Sequence, residues 1–314
     1  MTAPRKTADV KLCDLSQAGA LVGDGDVVAL GGGLSHREPL ALVRELIRQR
    51  RRDLRVVGSA HGVDVDLLIG AGCIGAVEQS YVGFEQDFGL APAYRRAAEN
   101  GELEIRETCC YTLLQQLRAA EYGLPFIPVR GIIGSDILGL HPEFTEITCP
   151  FTGQRLIAVP ALSPDVALIH APLADARGNV HLQRPLVLDE RFAFASRTVV
   201  ISAERITSTD EVAAAGITIP YFLVDAVVHA PFGAHPTSCY PQYTYDRQHL
   251  ARWIDAAAYP DGVRDYLDAY VRPGEDHYLE TVGKPALQAL GSYTESAERW
   301  QELMVSGPAV TERV

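Results

Sequence analysis

The sequence predicts a doubly wound α/β fold: a single, mostly parallel sheet with helices on both faces and a helical C-terminal part. Three observations carry this prediction. Short apolar β-rich runs alternate with helical segments along most of the chain, the pattern that builds a covered parallel sheet. The clearest unit, from Asp26 to about Arg51, runs strand, glycine turn, helix. After about Asp246 the β-rich runs stop and helical spacing takes over.

Length and composition agree with this reading. The 314 residues are 47% hydrophobic but only 8% aromatic, so Ala, Val, Leu and Ile must fill the core. With no internal repeat, low-complexity tract or long linker, residues 1–314 read as one domain. A formal charge of −12 opposes condensation onto phosphate backbones or anionic lipid, so neither nucleic acid nor a membrane surface is expected as a partner. The six cysteines, at 13, 73, 109, 110, 149 and 239, contain no C-x-x-C pair and suit neither a zinc ribbon nor a disulfide framework. The first ten residues lack the apolar stretch of a signal peptide, and no apolar run approaches the ~18 residues of a membrane span. These features point to a reducing cytoplasm.

The elements follow in order. Asp26 to Leu30 is too short an apolar run for a helix and reads as a strand, followed by Gly31-Gly32-Gly33-Leu34-Ser35-His36. A helix is expected from Arg37 to about Arg51, with Pro39 in its first turn and Leu40, Val43, Leu46 and Ile47 on one face. Arg48, Arg50, Arg51 and Arg52 crowd its end. There they complement the helix dipole, a reading preferred to a phosphate-binding patch.

Leu54 to Val57 reads as a strand, Val65 to Ala71 as a helix, Ile74 to Val82 as a strand, and Ala91 to Asn100 as a polar helix stopped by Gly101. Thr112 to Tyr122 reads as a helix, Phe126 to Val129 as a strand, and 131–153, with six Gly and Pro, as a long irregular segment. Buried strands are expected at 166–170, 198–202 and 221–224, with a helix over 186–195. Helices are expected at 248–257, 262–271 and 295–304.

Three adjacent glycines between a strand and a helix either form a tight turn or let the backbone aim N–H groups at a carboxylate, phosphate or thioester oxygen. The pattern is neither G-x-G-x-x-G nor a Walker loop, so nucleotide binding has no specific support. Further stretches stand out: Asp175-Ala176-Arg177-Gly178-Asn179, Glu204-Arg205-Ile206, and Pro231-Phe232-Gly233-Ala234-His235-Pro236-Thr237. With Gly31 to Pro39, the first and last of these resemble, in order, signatures of the A (alpha) subunit of class I CoA-transferases. The likeness is to the glutaconate CoA-transferase type and spans about residues 10 to 250.

That resemblance implies a beta subunit of similar fold, an A2B2 or AB assembly, and an active site at the contact between the two. A glutamate on the beta subunit would attack an acyl-CoA thioester and load the coenzyme onto a carboxylic acid, with no metal or redox cofactor. A carboxylate is a weak nucleophile and needs placement and oxyanion donors, which the alpha chain would help supply. The element Ala98-Glu99-Asn100-Gly101 imitates the beta-type nucleophile motif but reads as a helix C-terminus. Some relatives instead open a ring-containing acyl-CoA of steroid breakdown with an alpha-chain glutamate as base. For that alternative Glu107, after the strand-like Leu103 to Ile105, is the candidate, although the reading preferred for it is a helix N-terminal carboxylate. A sugar-phosphate effector domain is disfavoured because too few residues precede Asp26 for a helix-turn-helix.

For substrate and coenzyme binding the candidates are Gly31, Gly32, Gly33, Ser35, His36, Arg130, Asn179, Gly233 and His235. Arg130 offers a fork for a substrate carboxylate, or a salt bridge within the fold. Ser35 and His36 either bond substrate or cap the next helix. Asn179 belongs to an Asx-type turn that shapes the pocket or a subunit contact. His235 is a ligand-side donor or a satisfied buried histidine, and without a second His at metal spacing zinc is not expected. Cys109 and Cys110 read as core thiols, because no flanking cation is apparent.

Overall fold

The computed structural model describes residues 10–305. Its strands are β1 (Val27–Leu30), β2 (Leu54–Val57), β3 (Ala60–His61), β4 (Ile74–Glu78), β5 (Tyr81–Val82), β6 (Glu104–Ile105), β7 (Phe126–Val129), β8 (Thr145–Thr148), β9 (Arg155–Pro160), β10 (Val166–Asp175), β11 (Val180–His181), β12 (Thr198–Thr207) and β13 (Ala226–His229). The main sheet runs β13-β12-β10-β1-β2-β4-β6 in parallel, with β11 antiparallel to β10. The chain builds outward from β1 through β2, β4 and β6, then returns to the other side of β1 with β10. Strand order therefore reverses between β1 and β10, whose Val28 and Val166 are in register. In an open parallel sheet that reversal opens a crevice at the carboxyl ends of the strands.

Alternate residues of one strand serve opposite cores. Val28 and Leu30 pack on one face with Leu40, Leu46 and Trp253, and Ala29 packs on the other with Leu113, Ile169 and Phe192. Both faces are buried, as a parallel sheet requires. The helices Leu40–Arg48, Val63–Gly70 and Arg247–Ala257 cover the first face. Cys110–Glu121 and Asp189–Ala195 cover the second.

The C-terminal helices are tied to the sheet layer by buried polar contacts. The Trp253 indole N–H donates to Asp66 at 2.8 Å, and Arg44 pairs with Glu275 while donating to the His235 carbonyl at 2.9 Å. Burial pushes the Asp66 carboxyl up to about 6, against the pull of the Tyr94 N–H and the Trp253 indole.

Several expectations change. The helix expected over 37–51 spans only Leu40–Arg48, because Arg37 and Arg50 adopt positive φ, 53° and 56°. The run at 221–224 is a 3₁₀ turn, Tyr221–Leu223, and the strand begins three residues later, at Ala226. The Tyr221 N–H is taken by Asn179 Oδ1 and its carbonyl by Lys11 Nζ, so that backbone is not free to join a ladder. β10 and β12 continue past His170 and Ser202 to Asp175 and Thr207. Within the irregular segment Thr145–Thr148 forms β8, which with β7 and β9 makes a separate antiparallel sheet, β7-β9-β8. Two helices that sequence reasoning missed, Glu275–Val282 and Lys284–Gly291, follow a π-helical stretch at Leu267–Val271. Among the described residues no helix is long and apolar enough to cross a membrane.

Candidate functional site

β1 delivers the three glycines to the carboxyl edge of the sheet, at the point where strand order reverses. All three N–H groups are used inside the chain: Gly31 donates to the Leu168 carbonyl, Gly32 to Asp189 Oδ1 and Gly33 to the His36 carbonyl, each at 2.9 Å. The glycines are needed for close approach. Gly32 has φ +73°, and a Cβ there would stand 2.4 Å from the Arg37 carbonyl oxygen; one on Gly33 would stand 2.8 Å from that of Ala60. The tight turn thereby presents Ser35 and His36 rather than its own N–H groups.

Beneath the turn, Arg37 and Asp189 form a fully buried two-pronged ion pair, Nη1 to Oδ1 at 3.0 Å and Nη2 to Oδ2 at 3.2 Å. Burial opposes ionisation of Asp189, yet the charge and donors of Arg37 and the Gly32 N–H hold its carboxyl below the usual range. Arg37 also sets the state of His36, since its Nε–H donates to His36 Nε2 at 3.0 Å. Burial first, and the Arg37 charge second, push the imidazole down to about 4. His36 is then neutral with its proton on Nδ1, which donates to Ser238 Oγ at 2.9 Å; that hydroxyl donates to the Ser35 carbonyl, also at 2.9 Å. The ring stacks on Tyr240, with centroids 5.1 Å apart. The chain Arg37–His36–Ser238–Ser35 fixes the turn against the Pro231–Thr237 segment.

That segment is anchored from below. Glu204, on β12, accepts the Phe232 N–H at 2.7 Å, the Tyr243 hydroxyl, and His170 Nε2 at 2.7 Å. Gly233 lies so close that a Cβ would meet His170 Cε1 at 2.8 Å. Another carboxylate is enclosed nearby: Glu38 accepts the N–H groups of Gly62 and Asp64 at 2.9 and 3.1 Å. Burial and the neighbouring Asp64 raise the Glu38 carboxyl well above its ordinary value.

Toward the other side of the turn the edge is open. A cavity of about 170 Å³ is bordered by Leu34, Ser35, Phe84, Phe88 and Tyr245, and by the carboxylates of Glu85 and Asp87, the latter accepting the Tyr245 hydroxyl at 3.0 Å. Beyond it, past the ends of β2, β4 and β6, lie Ser59, Ser80, Glu107 and Cys110. The Cys110 sulfur is exposed at the start of its helix and lies 3.1 Å from Ser59 Oγ and 2.9 Å from Ser80 Oγ. Glu107 is exposed, and its carbonyl accepts from His141 Nε2 at 2.9 Å. Sequence reasoning missed Ser59 and Ser80; the signal was that each stands two residues past the end of a parallel strand, where site residues collect.

The fold thus brings Gly31 to Gly33, Ser35, His36 and Gly233 together. Asn179 stands apart, at the far end of β10, in a closed turn in which the Asp175 carboxylate takes the Arg177 and Asn179 N–H groups, both at 2.9 Å, and Asn179 Nδ2 at 2.7 Å. His235 is fully buried between Tyr278 Oη, 2.6 Å away, and Asp246 Oδ2, 3.1 Å away. His249, distant in local spacing, also packs on it, with ring centroids 5.1 Å apart. Arg130 is exposed after β7 and makes no ion pair among the described residues. Asn100 and Gly101 end the helix Pro92–Glu99, with Gly101 at φ +68°, and Glu99 pairs with Arg95 at the surface.

A parallel sheet with a glycine turn at its switch point and a histidine-bearing loop against it defines a class, and comparison with known proteins names it. The family model for coenzyme A transferases matches residues 14–230, and the chain belongs to that family. It is 35% identical over 258 residues to the alpha chain of 3-oxoadipate CoA-transferase from Pseudomonas knackmussii, covering 81% of this chain and 91% of that one. The crystal structure of glutaconate coenzyme A-transferase from Acidaminococcus fermentans superposes with TM-score 0.85 at 32% identity, covering 89% and 95%. The cholesterol ring-cleaving hydrolase IpdA subunit of Rhodococcus jostii is 31% identical, covering 87% and 96%. The chain is also 35% identical to an uncharacterized Archaeoglobus fulgidus protein, of which it spans 63%.

Proposed function

We propose that this chain is the alpha subunit of a heteromeric CoA-transferase, moving coenzyme A between a short-chain or dicarboxylic acyl-CoA and a free carboxylic acid. It works in the cytoplasm as a single CoA-transferase domain, in an A2B2 assembly with a beta subunit that carries the nucleophilic glutamate. The acyl-CoA thioester is substrate, and no cofactor is held permanently. The observation that carries this reading is the close match, in fold and over nearly full length, to glutaconate coenzyme A-transferase.

The chemistry of the edge supports it. Glu38, Asp64, Asp189 and Glu204 are buried and hydrogen-bonded within the chain, so none of these four is available to attack a thioester. In this reading the nucleophile is the glutamate of the beta subunit. A carboxylate oxygen of that glutamate adds to the thioester carbonyl and coenzyme A leaves as thiolate, giving a mixed anhydride. The thiolate attacks the glutamyl carbonyl and releases the acid; the acceptor acid completes the reverse sequence.

In this scheme the alpha chain aligns the substrate. Ser35 borders the acyl cavity on a turn made rigid by Gly31, Gly32 and Gly33 and held by neutral His36. Arg130 offers its fork to a substrate carboxylate. Gly233 lets the neighbouring segment pack, while Asn179 and His235 hold loops.

A second reading, hydrolytic ring opening of an acyl-CoA, is favoured by the exposed Glu107 at the end of β6. One experiment separates the two. The chain, purified with its partner subunit, is incubated with acyl-CoA and a carboxylic acid, then treated with hydroxylamine or borohydride. The transferase reading expects a trapped glutamate on the partner, coenzyme A on the added acid, and activity retained in Glu107→Gln. Water entering the acyl group, with no adduct and with activity abolished in Glu107→Gln, overturns it.

A further inference from the structure

On the opposite, amino edge of the sheet lies a larger cleft, about 670 Å³, lined by Arg48, Arg50, Arg51, Arg52 and Arg272. Its floor is apolar, made by Ile47, Ala71 and Leu267, and no carboxylate lines it. The cleft forms where the connections entering β2 and β4 meet the end of the π-helical stretch Leu267–Val271.

The five arginines are not equivalent. Arg48 is balanced by Glu45, at 2.7 Å, and faces Glu275 at 3.7 Å, and Arg272 is balanced by Asp268. Arg50 and Arg52 make no ion pair among the described residues. Arg51 gives Nη2 to Gln49 Oε1 at 2.8 Å and to the Gly19 carbonyl at 3.4 Å, but its Nε–H is buried with no hydrogen-bond partner. The carbonyl ends of helices that close here attract cations, about half a charge each, which accounts for arginines at a helix end. It does not account for a concave site in which three guanidiniums lack a counterion, in a chain whose net charge is −12. Asp24 accepts the Arg52 backbone N–H at 3.0 Å, and burial together with its charge raises the Cys73 thiol, but it forms no ion pair with these arginines among the described residues.

We propose that this cleft is a second ligand site, for a small molecule carrying two or more clustered phosphates. Guanidinium forks match phosphate oxygens in pairs, several phosphates are needed to engage Arg50, Arg51 and Arg52 together, and the apolar floor takes the uncharged part of the ligand. The volume is that of a small-molecule pocket and not of a flat docking face. Ser35 and the glycine turn lie at the other end of β1, so the site is separate from the acyl-binding edge. The ligand's phosphates belong either to a free polyphosphate or nucleotide, or to the nucleotide portion of coenzyme A itself.

The test is isothermal titration of the full chain with inorganic pyrophosphate, and then with coenzyme A, on the wild type and on Arg50→Gln/Arg52→Gln. Both positions are exposed, and unchanged thermal unfolding of the unliganded variant confirms that it folds. Arg155→Gln/Arg205→Gln, on β9 and β12 and outside the cleft, controls for net charge. The expected result is pyrophosphate binding that weakens with salt and falls at least about tenfold in the double variant, but not in the control. Coenzyme A that displaces pyrophosphate and shows the same loss identifies the substrate's own nucleotide as the source. Coenzyme A binding indifferent to the substitutions identifies a separate ligand. Pyrophosphate that does not bind, or binds the double variant as well as the wild type, overturns the proposal.

Discussion

Removing the Asp189 carboxylate exposes how much of the glycine turn rests on one buried ion pair. In Asp189→Ala, four hydrogen bonds are lost: those from Gly32 N–H at 2.9 Å, Val187 N–H at 3.3 Å, and Arg37 Nη1 and Nη2 at 3.0 and 3.2 Å. Arg37 remains completely buried, facing only the Pro185 carbonyl and His36 Nε2. A buried charge stripped of its counterion costs about 3–5 kcal/mol, and an orphaned buried N–H about 1–3 kcal/mol. Because relaxation serves both groups at once, the terms overlap and the expected loss is about 4 kcal/mol. Urea unfolding followed by tryptophan fluorescence reads this as a lower midpoint with unchanged slope, since Trp253 is fully buried. Arg37→Met/Asp189→Leu, which removes both charges and keeps the volume, should recover most of the loss. A single variant within about 1 kcal/mol of wild type, or a double variant no better than the single, refutes the argument that the uncompensated charge dominates.

Two further predictions follow from the same turn. His36 sits at about 4 in the folded chain against an ordinary 6.5, so on acidification the unfolded chain takes up a proton that the folded one refuses. Its contribution to stability is complete above pH 6.5 and declines as pH falls toward 4, by about 3 kcal/mol in all and about 2 kcal/mol between pH 7 and 5. Urea unfolding of His36→Gln at both pH values should show a pH dependence smaller by that amount; an unchanged dependence contradicts the assignment. Gly32→Ala combines positive φ with a backbone clash at 2.4 Å and should cost about 3 kcal/mol, whereas Gly25→Ala, at φ +79° in open space, should cost about 1 kcal/mol by the same assay. Equal costs would show that φ alone, and not close packing, demands glycine at 32.

Where a segment's role depended on its own neighbours in sequence, it was legible. Leu54–Val57 and Phe126–Val129 are the strands that their short apolar runs predict, and Asn100-Gly101 stops its helix as local chemistry requires. The order of strand, glycine turn and helix around Gly31 needed nothing more than spacing, and three motifs in order were enough to indicate the family. The strands at 166 and 198 were read too short because His170 and Ser202 break their apolar runs. In the sheet those residues are paired in register, and His170 Nδ1 bonds Ser202 Oγ at 2.9 Å, so each satisfies the other's polarity. A single run of sequence cannot show that.

The site divides the same way. Sequence by itself determined the alternation that yields a parallel sheet, the turn at its edge and the residue types gathered there, because periodicity and backbone conformation are local properties. Only the tertiary structure decided what those residues could do, because charge state and access depend on partners far along the chain. Burial and the charge of Arg37, which meets Asp189 across 152 positions, leave His36 neutral; the Asp175 carboxylate and the Tyr221 N–H close Asn179 into a turn; and Asp246 and Tyr278 claim both nitrogens of His235. Four arginines that look like an ordinary solvated helix end become, with Arg272 brought from more than two hundred residues away, the wall of a cleft. Burial and juxtaposition set those energies, and neither is encoded within any one segment.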